Sequence, residues 1–394
     1  MFHLLLAIIY LAFISLGLPD ALLGSAWPVM YTEFSVPVSY SGVIFMIIAL
    51  GTIISSLQSD RLTKRFGTGK ITAFSVLMTA AALFGFSISH SFAALCVWAV
   101  PYGLGAGSVD ASLNNYVALH YTSRHMSWLH CMWGVGATLG PYLMGYALTN
   151  GHSWNMGYRI ISILQVVLTI LLFLSLPLWK NRDGSTGNIE NTAGKPVEKP
   201  LSLGQVLQIP GAKEVMTAFF CYCALEQTSS LWISSYLVLH HGLDAKTAAG
   251  FAGLFFIGIT TGRFFSGFLT LKFNDTQMIR LGEGLILAGV AALFIPQNNA
   301  AAFCGFILIG LGCAPVYPCI IHSTPVNFGK DKSQAMIGVQ MAFAYIGTCV
   351  MPPLFGLIAN HIHISLLPAY LLLILVVMAV MHEKMLKKVQ KREI

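Results

Sequence analysis

The sequence predicts an all-α membrane protein of twelve transmembrane helices arranged as two pseudo-symmetric six-helix halves. Three observations carry that prediction. Of the 394 residues 56% are hydrophobic and only 9% charged, with a mean hydropathy of +0.73, a balance that a water-facing surface does not tolerate. Apolar runs long enough to cross about 30 Å of hydrocarbon as a helix recur along the whole chain. The basic residues, finally, fall in a regular pattern between those runs.

The first run, at about 4–31, contains "GLPDALLGSAWPVM" (17–30), in which Asp20 follows Gly17 and Pro19. Its length, and the lack of a charged leader or A-x-A site, mark it as mature structure rather than a signal peptide. Five more spans follow at about 39–58, 70–90, 94–119, 126–149 and 158–179. The polar stretch "KNRDGSTGNIENTAGKPVEKP" (180–200), rich in Gly, Asn, Pro and charge, then reads as a flexible linker. Six further spans lie at about 212–239, 246–271, 277–295, 299–325, 333–358 and 364–383. The expected organisation is an N-terminal half at 1–179, a cytoplasmic linker at 180–210, a C-terminal half at 211–384 and a basic tail at 385–394.

Nineteen of the 22 Lys and Arg follow even-numbered spans. By the positive-inside rule both termini face the cytoplasm of a cell whose plasma membrane holds the chain. The net charge of +7 is therefore a topology signal and no indication of nucleic acid. The partners expected are the lipid bilayer, a small-molecule substrate and a proton, with the chain working as a monomer.

Sequence echoes join the halves. "YGLGAGSVDA" in span 4 matches "IGLGCAPVYP" in span 10, and "GATLGPYLMG" in span 5 matches "GTCVMPPLFG" in span 11. Two matches at nearly equal offset on equivalent spans indicate a parallel internal repeat, an arrangement that places substrate near the midplane. Gly136, Gly140 and Gly145 are expected to let helices approach closely, and Pro141 to bend span 5.

Carboxylates at membrane depth are costly and imply function. Asp20, Asp110 and Glu226 fall near mid-span, and Glu283 nearer the cytoplasmic end of span 9. No Lys or Arg stands at comparable depth in this reading: Arg263 lies in the inner third of span 8, where Glu283 or Asp275 could pair with it. Asp20, Asp110 and Glu226 are thus candidate proton carriers, and the competing reading for each is a protonated acid hydrogen-bonded to a neighbouring helix. Asn114 follows Asp110 by one helical turn, so carboxylate and amide project into one space. In "YCALEQTSSLWISSY" Tyr222, Glu226 and Ser230 share a face, with Gln227, Trp232 and Tyr236 beside it. Carboxyl, amide and hydroxyl groups next to aromatic rings suit a polyhydroxylated ligand. The candidate substrate contacts are Asn114, Asn115, Trp133, Tyr222, Gln227, Trp232, Tyr236 and Gln340; for Trp133 and Trp232, packing is an equal alternative. His130 and His322 are either relay residues or neutral histidines bound to backbone.

The eight cysteines all lie in apolar spans and read as small buried hydrophobes. Cys221-x-Cys223 lacks metal-ligand spacing and a second pair, so neither metal nor cofactor is expected. Nucleotide-binding loops and the local motifs of intramembrane enzymes are absent from the sequence, which disfavours ATP-driven transport and catalysis.

Twelve spans in two halves, with "SDRLTKRFG" (59–67) after span 2, resemble the major facilitator superfamily, whose loop at this place carries a D-R-x-x-G-R-type motif. Asp60, Arg61 and Arg65-Phe66-Gly67 fit it, while a leading Gly is missing and two extra residues intervene. The resemblance implies a cytoplasmic gate at Asp60, Arg61 and Arg65. Within that superfamily, the mid-span acid of span 1 and the acid four residues before Asn in span 4 resemble the fucose permease group of proton-coupled sugar symporters. "GLGCAPVYP" and "YIGTCVMPPLFG" look like the same group. This implies proton-coupled symport of a hexose or deoxyhexose by alternating access. "GATLGPYLMG" is similar instead to a motif of drug–proton antiporters, and an exporter of drugs or amphiphiles is the alternative.

Overall fold

The computed structural model describes residues 2–20, 22–37, 40–149, 153–183, 200–243, 245–296 and 298–391. Among them every regular element is helical. The first half of the chain forms α1 (Phe2–Gly17), α2 (Leu22–Glu33), α3 (Ser41–Phe66), α4 (Thr68–Ser87), α5 (Phe92–His120), α6 (Ser123–Thr149) and α7 (Trp154–Leu174). Two short helices, α8 (Leu176–Asp183) and α9 (Leu203–Gln208), flank the linker. Then come α10 (Ala212–Leu239), α11 (Ala245–Leu269), α12 (Asp275–Leu293), α13 (Asn299–Phe328), α14 (Ser333–His361) and α15 (Leu367–Gln390). Nine segments of the described residues are long and apolar enough to cross a membrane, while α6, α10 and α11 occupy the places of the expected spans 5, 7 and 8. Helices are the form to expect, because each satisfies its own backbone hydrogen bonds where lipid offers none.

Span 1 is not one continuous helix. After Gly17 the backbone leaves the helix through Leu18–Asp20 and resumes at Leu22. Two turn bonds bridge the break, Asp20 N–H to the Gly17 oxygen at 3.2 Å and Leu22 N–H to the Pro19 oxygen at 3.1 Å. Pro19 supplies the cause, since its ring brings no N–H to continue the ladder.

The chain divides into two compact units. One holds residues 1–116 and 132–202; the other holds 117–131 and 203–394. The ends of α5 and α6 that meet at residues 117–131 thus pack with the second half of the chain, a division that the spacing of spans does not foretell.

The core of the first unit gathers Leu22, Trp27, Met30, Ile44, Leu83, Phe86, Leu95, Tyr102, Met144, Trp154 and Tyr158. Phe86 and Tyr158 stack with ring centroids 5.3 Å apart. Gln165 of α7 ties three helices, donating to the Ser15 carbonyl at 2.9 Å and accepting from Thr79 at 2.9 Å. Such amide and hydroxyl bonds take the place of a hydrophobic driving force that lipid cannot supply.

The internal repeat reappears as packing within each unit. In the first, a Cβ on Gly136 would run into the Ile14 carbonyl, one on Gly103 into the Ile48 carbonyl, and one on Gly105 would lie 2.7 Å from the Ser75 oxygen. Their counterparts in the second repeat this: Gly347 against the Phe220 oxygen at 2.5 Å, Gly310 against the Phe255 oxygen at 2.9 Å, Gly312 against the Gly282 oxygen at 2.7 Å. Gly140 is equally crowded, by the Leu18 carbonyl, as expected for a close helix crossing. Gly145 is not: nothing lies within 4 Å of where its Cβ would stand, although Met144 and Ala147 beside it are fully buried.

Cysteine burial also departs from expectation in part. Cys131, Cys221, Cys223, Cys313 and Cys319 are buried, Cys96 and Cys349 half-buried, and Cys304 exposed. On a helix that faces lipid an exposed thiol carries no penalty, so burial is not required of it.

Candidate functional site

In the first unit the broken span sets Asp20 apart. With the backbone out of the helix, its side chain is exposed rather than packed, and its Oδ2 accepts the indole N–H of Trp133 at 2.8 Å. Tyr102 and Asp110 are both close enough to act on Asp20 electrostatically. Trp133, for which sequence left packing and ligand contact open, is therefore a hydrogen-bond donor to a carboxylate. Tyr102 was missed by sequence reasoning, although it precedes Asp110 on α5 by eight residues, a spacing that keeps both within one broad stripe of the helix.

Asp110 and Asn114 meet as their spacing predicts. The Asn114 amide donates to Asp110 Oδ1 at 2.8 Å and to its backbone oxygen at 3.0 Å. Asn114 is fully buried and Asn115 nearly so, while Asp110 is half-buried.

At the end of α3, Asp60 pairs with Lys64 at 3.2 Å and accepts the Leu201 backbone N–H at 3.2 Å. Arg61 and Arg65 are exposed, the latter lying over the Phe66 ring at 5.2 Å. Neither makes an ion pair with another described residue. Asp60 is thus held by a neighbouring lysine and by the linker backbone.

The second unit overturns one expectation about charge. Arg263 Nη2 lies 3.3 Å from Glu226 Oε1, with Arg263 nearly wholly buried. Glu226 therefore has a basic counterpart at its own depth, and Arg263 pairs with neither Glu283 nor Asp275. Side-chain reach explains the difference: a guanidinium on a long stem meets a group more than one turn away from its own Cα level. Glu283 has His382 Nδ1 at 3.7 Å instead, and Asp275 has His322.

The remaining residues of the expected ligand face are held by the protein itself. Tyr222 is buried and donates to the Cys313 oxygen at 3.0 Å; Tyr236 is buried and donates to the Leu293 oxygen at 3.3 Å. Trp232 donates to the Pro352 oxygen at 3.0 Å and meets Phe355 edge-on. Buried Gln340 accepts from Thr324 at 3.1 Å. Gln227 is half-buried beside Glu226. His130 packs its ring against Tyr317 at 4.5 Å.

The sequence profile of the Major Facilitator Superfamily matches residues 9–352. The chain belongs to the Major Facilitator Superfamily. "Bypass of stop codon protein 6" of Saccharomyces cerevisiae is 22% identical over 398 aligned positions, covering 90% of this chain and 77% of the relative. The glucose/mannose transporter GlcP of Bacillus subtilis is 20% identical, with 89% and 88% covered. Among solved structures, the E. coli fucose:proton symporter FucP superposes with a TM-score of 0.79 at 16% identity, covering 96% of this chain and 98% of that one. As a member of the Major Facilitator Superfamily the chain is a multi-pass membrane transporter of a small molecule, and not an enzyme.

Proposed function

We propose that this transporter moves a monosaccharide together with a proton by alternating access. The observation that carries the reading is the Asp20–Asp110 pair: two carboxylates of one unit within electrostatic reach, one gripped by Trp133 and the other by Asn114. A proton held by the pair relieves the repulsion of like charges in a medium of low dielectric, and its arrival or departure rearranges the hydrogen bonds that Trp133 and Asn114 make. Resemblance in sequence to the fucose permease group supports the same reading, as do the printed substrates of GlcP and FucP.

In this reading Asp20 and Asp110 bind the coupling proton. Glu226, paired with Arg263, serves as a charged fixture and not as a free proton carrier. Trp133, Asn115 and Gln227 are the residues offered to sugar, with Asn114 responding to Asp110. Tyr222, Tyr236, Trp232 and Gln340 shape helix packing within the second unit. Asp60, Arg61 and Arg65 form a cytoplasmic gate, both termini face the cytoplasm, residues 1–179 and 211–384 are the two repeat halves, and the chain works as a monomer in the plasma membrane.

The test uses purified protein in liposomes with an internal pH dye, to which hexoses, deoxyhexoses and disaccharides are added outside. Acidification with one sugar, absent in Asp110→Asn, establishes symport and identifies the substrate. A flat pH trace with every sugar, together with movement of lipophilic cations, replaces the reading with that of a drug or amphiphile exporter.

A further inference from the structure

Outside the Asp20–Asp110 pair, the second unit holds a cluster of polar groups that transport chemistry does not call for. It centres on His322 of α13. The ring's Nδ1 lies 2.6 Å from Asp275 Oδ2, and its Nε2 lies 3.2 Å from the backbone oxygen of Tyr121. Asp275 in turn accepts the Ser123 hydroxyl on Oδ1 at 2.5 Å, and Ser123 Oγ sits 3.8 Å from Cys319 Sγ. Tyr121 lies in the turn joining α5 and α6 and Ser123 opens α6, both within the 117–131 segment that packs with this unit.

Counting protons gives the arrangement its meaning. A neutral imidazole carries one N–H and can donate to one acceptor only. Here both nitrogens face acceptors, a carboxylate and a carbonyl. The bonds are complete only when ring and acid together hold one proton more than a neutral histidine and an ionised aspartate. Whether that proton rests on Nδ1 or on Oδ2, Nε2–H still reaches Tyr121. Asp275 is the first residue of α12, where the helix end favours its negative charge and so an imidazolium partner.

Among the described residues, the charged groups on the helices packed here are engaged elsewhere. From α12, Arg280 is taken by Glu383 through two bonds of 2.7 and 2.9 Å. From α11, Arg263 is held by Glu226. Within the turn, His125 bonds Thr122 at 2.9 Å and lies edge-on to Tyr121, while Arg124 sits over the Trp128 ring at 5.2 Å.

We propose that His322 and Asp275 form a second proton-binding site, distinct from Asp20 and Asp110, whose proton clasps the α5–α6 turn onto α12 and α13. Loss of the proton sets a nitrogen lone pair against either the Tyr121 carbonyl or the Asp275 carboxylate. One charge-assisted bond disappears and one repulsion takes its place, enough to lower the population of the clasped turn roughly tenfold. The inference does not depend on which substrate is carried or on what couples it.

Hydrogen–deuterium exchange of the full chain in lipid nanodiscs, read by mass spectrometry and corrected for the intrinsic pH dependence of exchange, tests it. Peptides covering 117–131 should lose protection roughly tenfold as pH rises through the titration of the pair, while peptides of α4 stay unchanged. Asp275→Asn should stay protected at every pH, because its amide donates to the Nδ1 lone pair while Nε2–H still reaches Tyr121. His322→Phe should expose the turn at every pH. Wild-type protection that does not vary with pH, or Asp275→Asn retaining the wild-type profile, overturns the proposal. Those two proteins decide the matter even if His322→Phe does not fold.

Discussion

Arg263 and Glu226 stand 3.3 Å apart on neighbouring helices of the second unit, the guanidinium nearly wholly buried and the carboxylate partly so. Burying a charge without its partner costs far more than burying the pair, on the order of 3–5 kcal/mol when one side is removed. Glu226→Gln should therefore lower the melting temperature of the purified protein markedly. The double replacement Glu226→Gln with Arg263→Gln should recover most of the loss. Equal melting of the single and the double variants would show that the pair does not act as a unit.

Asp110 and Asn114 offer a sharper functional test. Asp110→Asn keeps a hydrogen-bonding partner for Asn114 but removes the titratable group. Uphill accumulation in vesicles should fall to the equilibrium ratio of about 1 expected without a driving force, while exchange of labelled for unlabelled substrate continues. Retained accumulation would remove Asp110 from the coupling site.

Trp133 positions Asp20 through a 2.8 Å bond. Trp133→Phe preserves the aromatic bulk and deletes the donor that orients the Asp20 carboxyl. The pH profile of transport should shift, with protein yield and melting temperature little changed. A profile that stays in place would assign Trp133 to packing.

Gly136 and Gly145 lie nine residues apart on α6 and should respond in opposite ways. Gly136→Val drives a side chain into the Ile14 carbonyl and should abolish folding, as should Gly347→Val, which meets the Phe220 carbonyl in the second unit. Gly145→Ala enters open space and should be neutral or stabilise by up to about 1 kcal/mol. Yield of folded protein by size-exclusion chromatography distinguishes them.

His240 caps α10 beyond its last helical residue, with its ring 5.1 Å from His241 and 6.3 Å from His363. Partial burial first, and then these two histidines, hold its protonation below the ordinary histidine range. A histidine with a lowered value binds fewer protons folded than unfolded, so stability falls as pH drops below about 6.5 and levels off once the folded group is charged. Melting temperatures between neutral and mildly acidic pH should slope downward in the wild type and less steeply in His240→Gln. Equal slopes would exclude His240 as a contributor.

Local relationships were legible in the sequence. Asp110 and Asn114 meet because helix geometry alone brings i and i+4 together, and the break at Leu18–Asp20 follows from Gly17 and Pro19. The glycine echoes of α5 and α13, and of α6 and α14, foretold close packing because only a missing Cβ lets two backbones touch. Gly145 carried the same letter without the same neighbour, and sequence could not tell the difference.

Relationships across the fold were not legible. Arg263 to Glu226, His322 to Asp275 and Trp133 to Asp20 join residues 37, 47 and 113 positions apart. Each depends on the rotation of one helix against another, which is set by the sum of many packing contacts and by no single residue type.

The sequence by itself determined that this chain spans a membrane with helices, that its halves repeat, and that carboxylates lie within the spans. Composition, period and charge placement suffice for that because lipid penalises any other outcome. Tertiary structure alone decided which carboxylate meets a guanidinium, which is gripped by an indole, and which meets an imidazole. Those fates turn on side-chain contacts of a few ångströms, and only the packed helices fix distances on that scale.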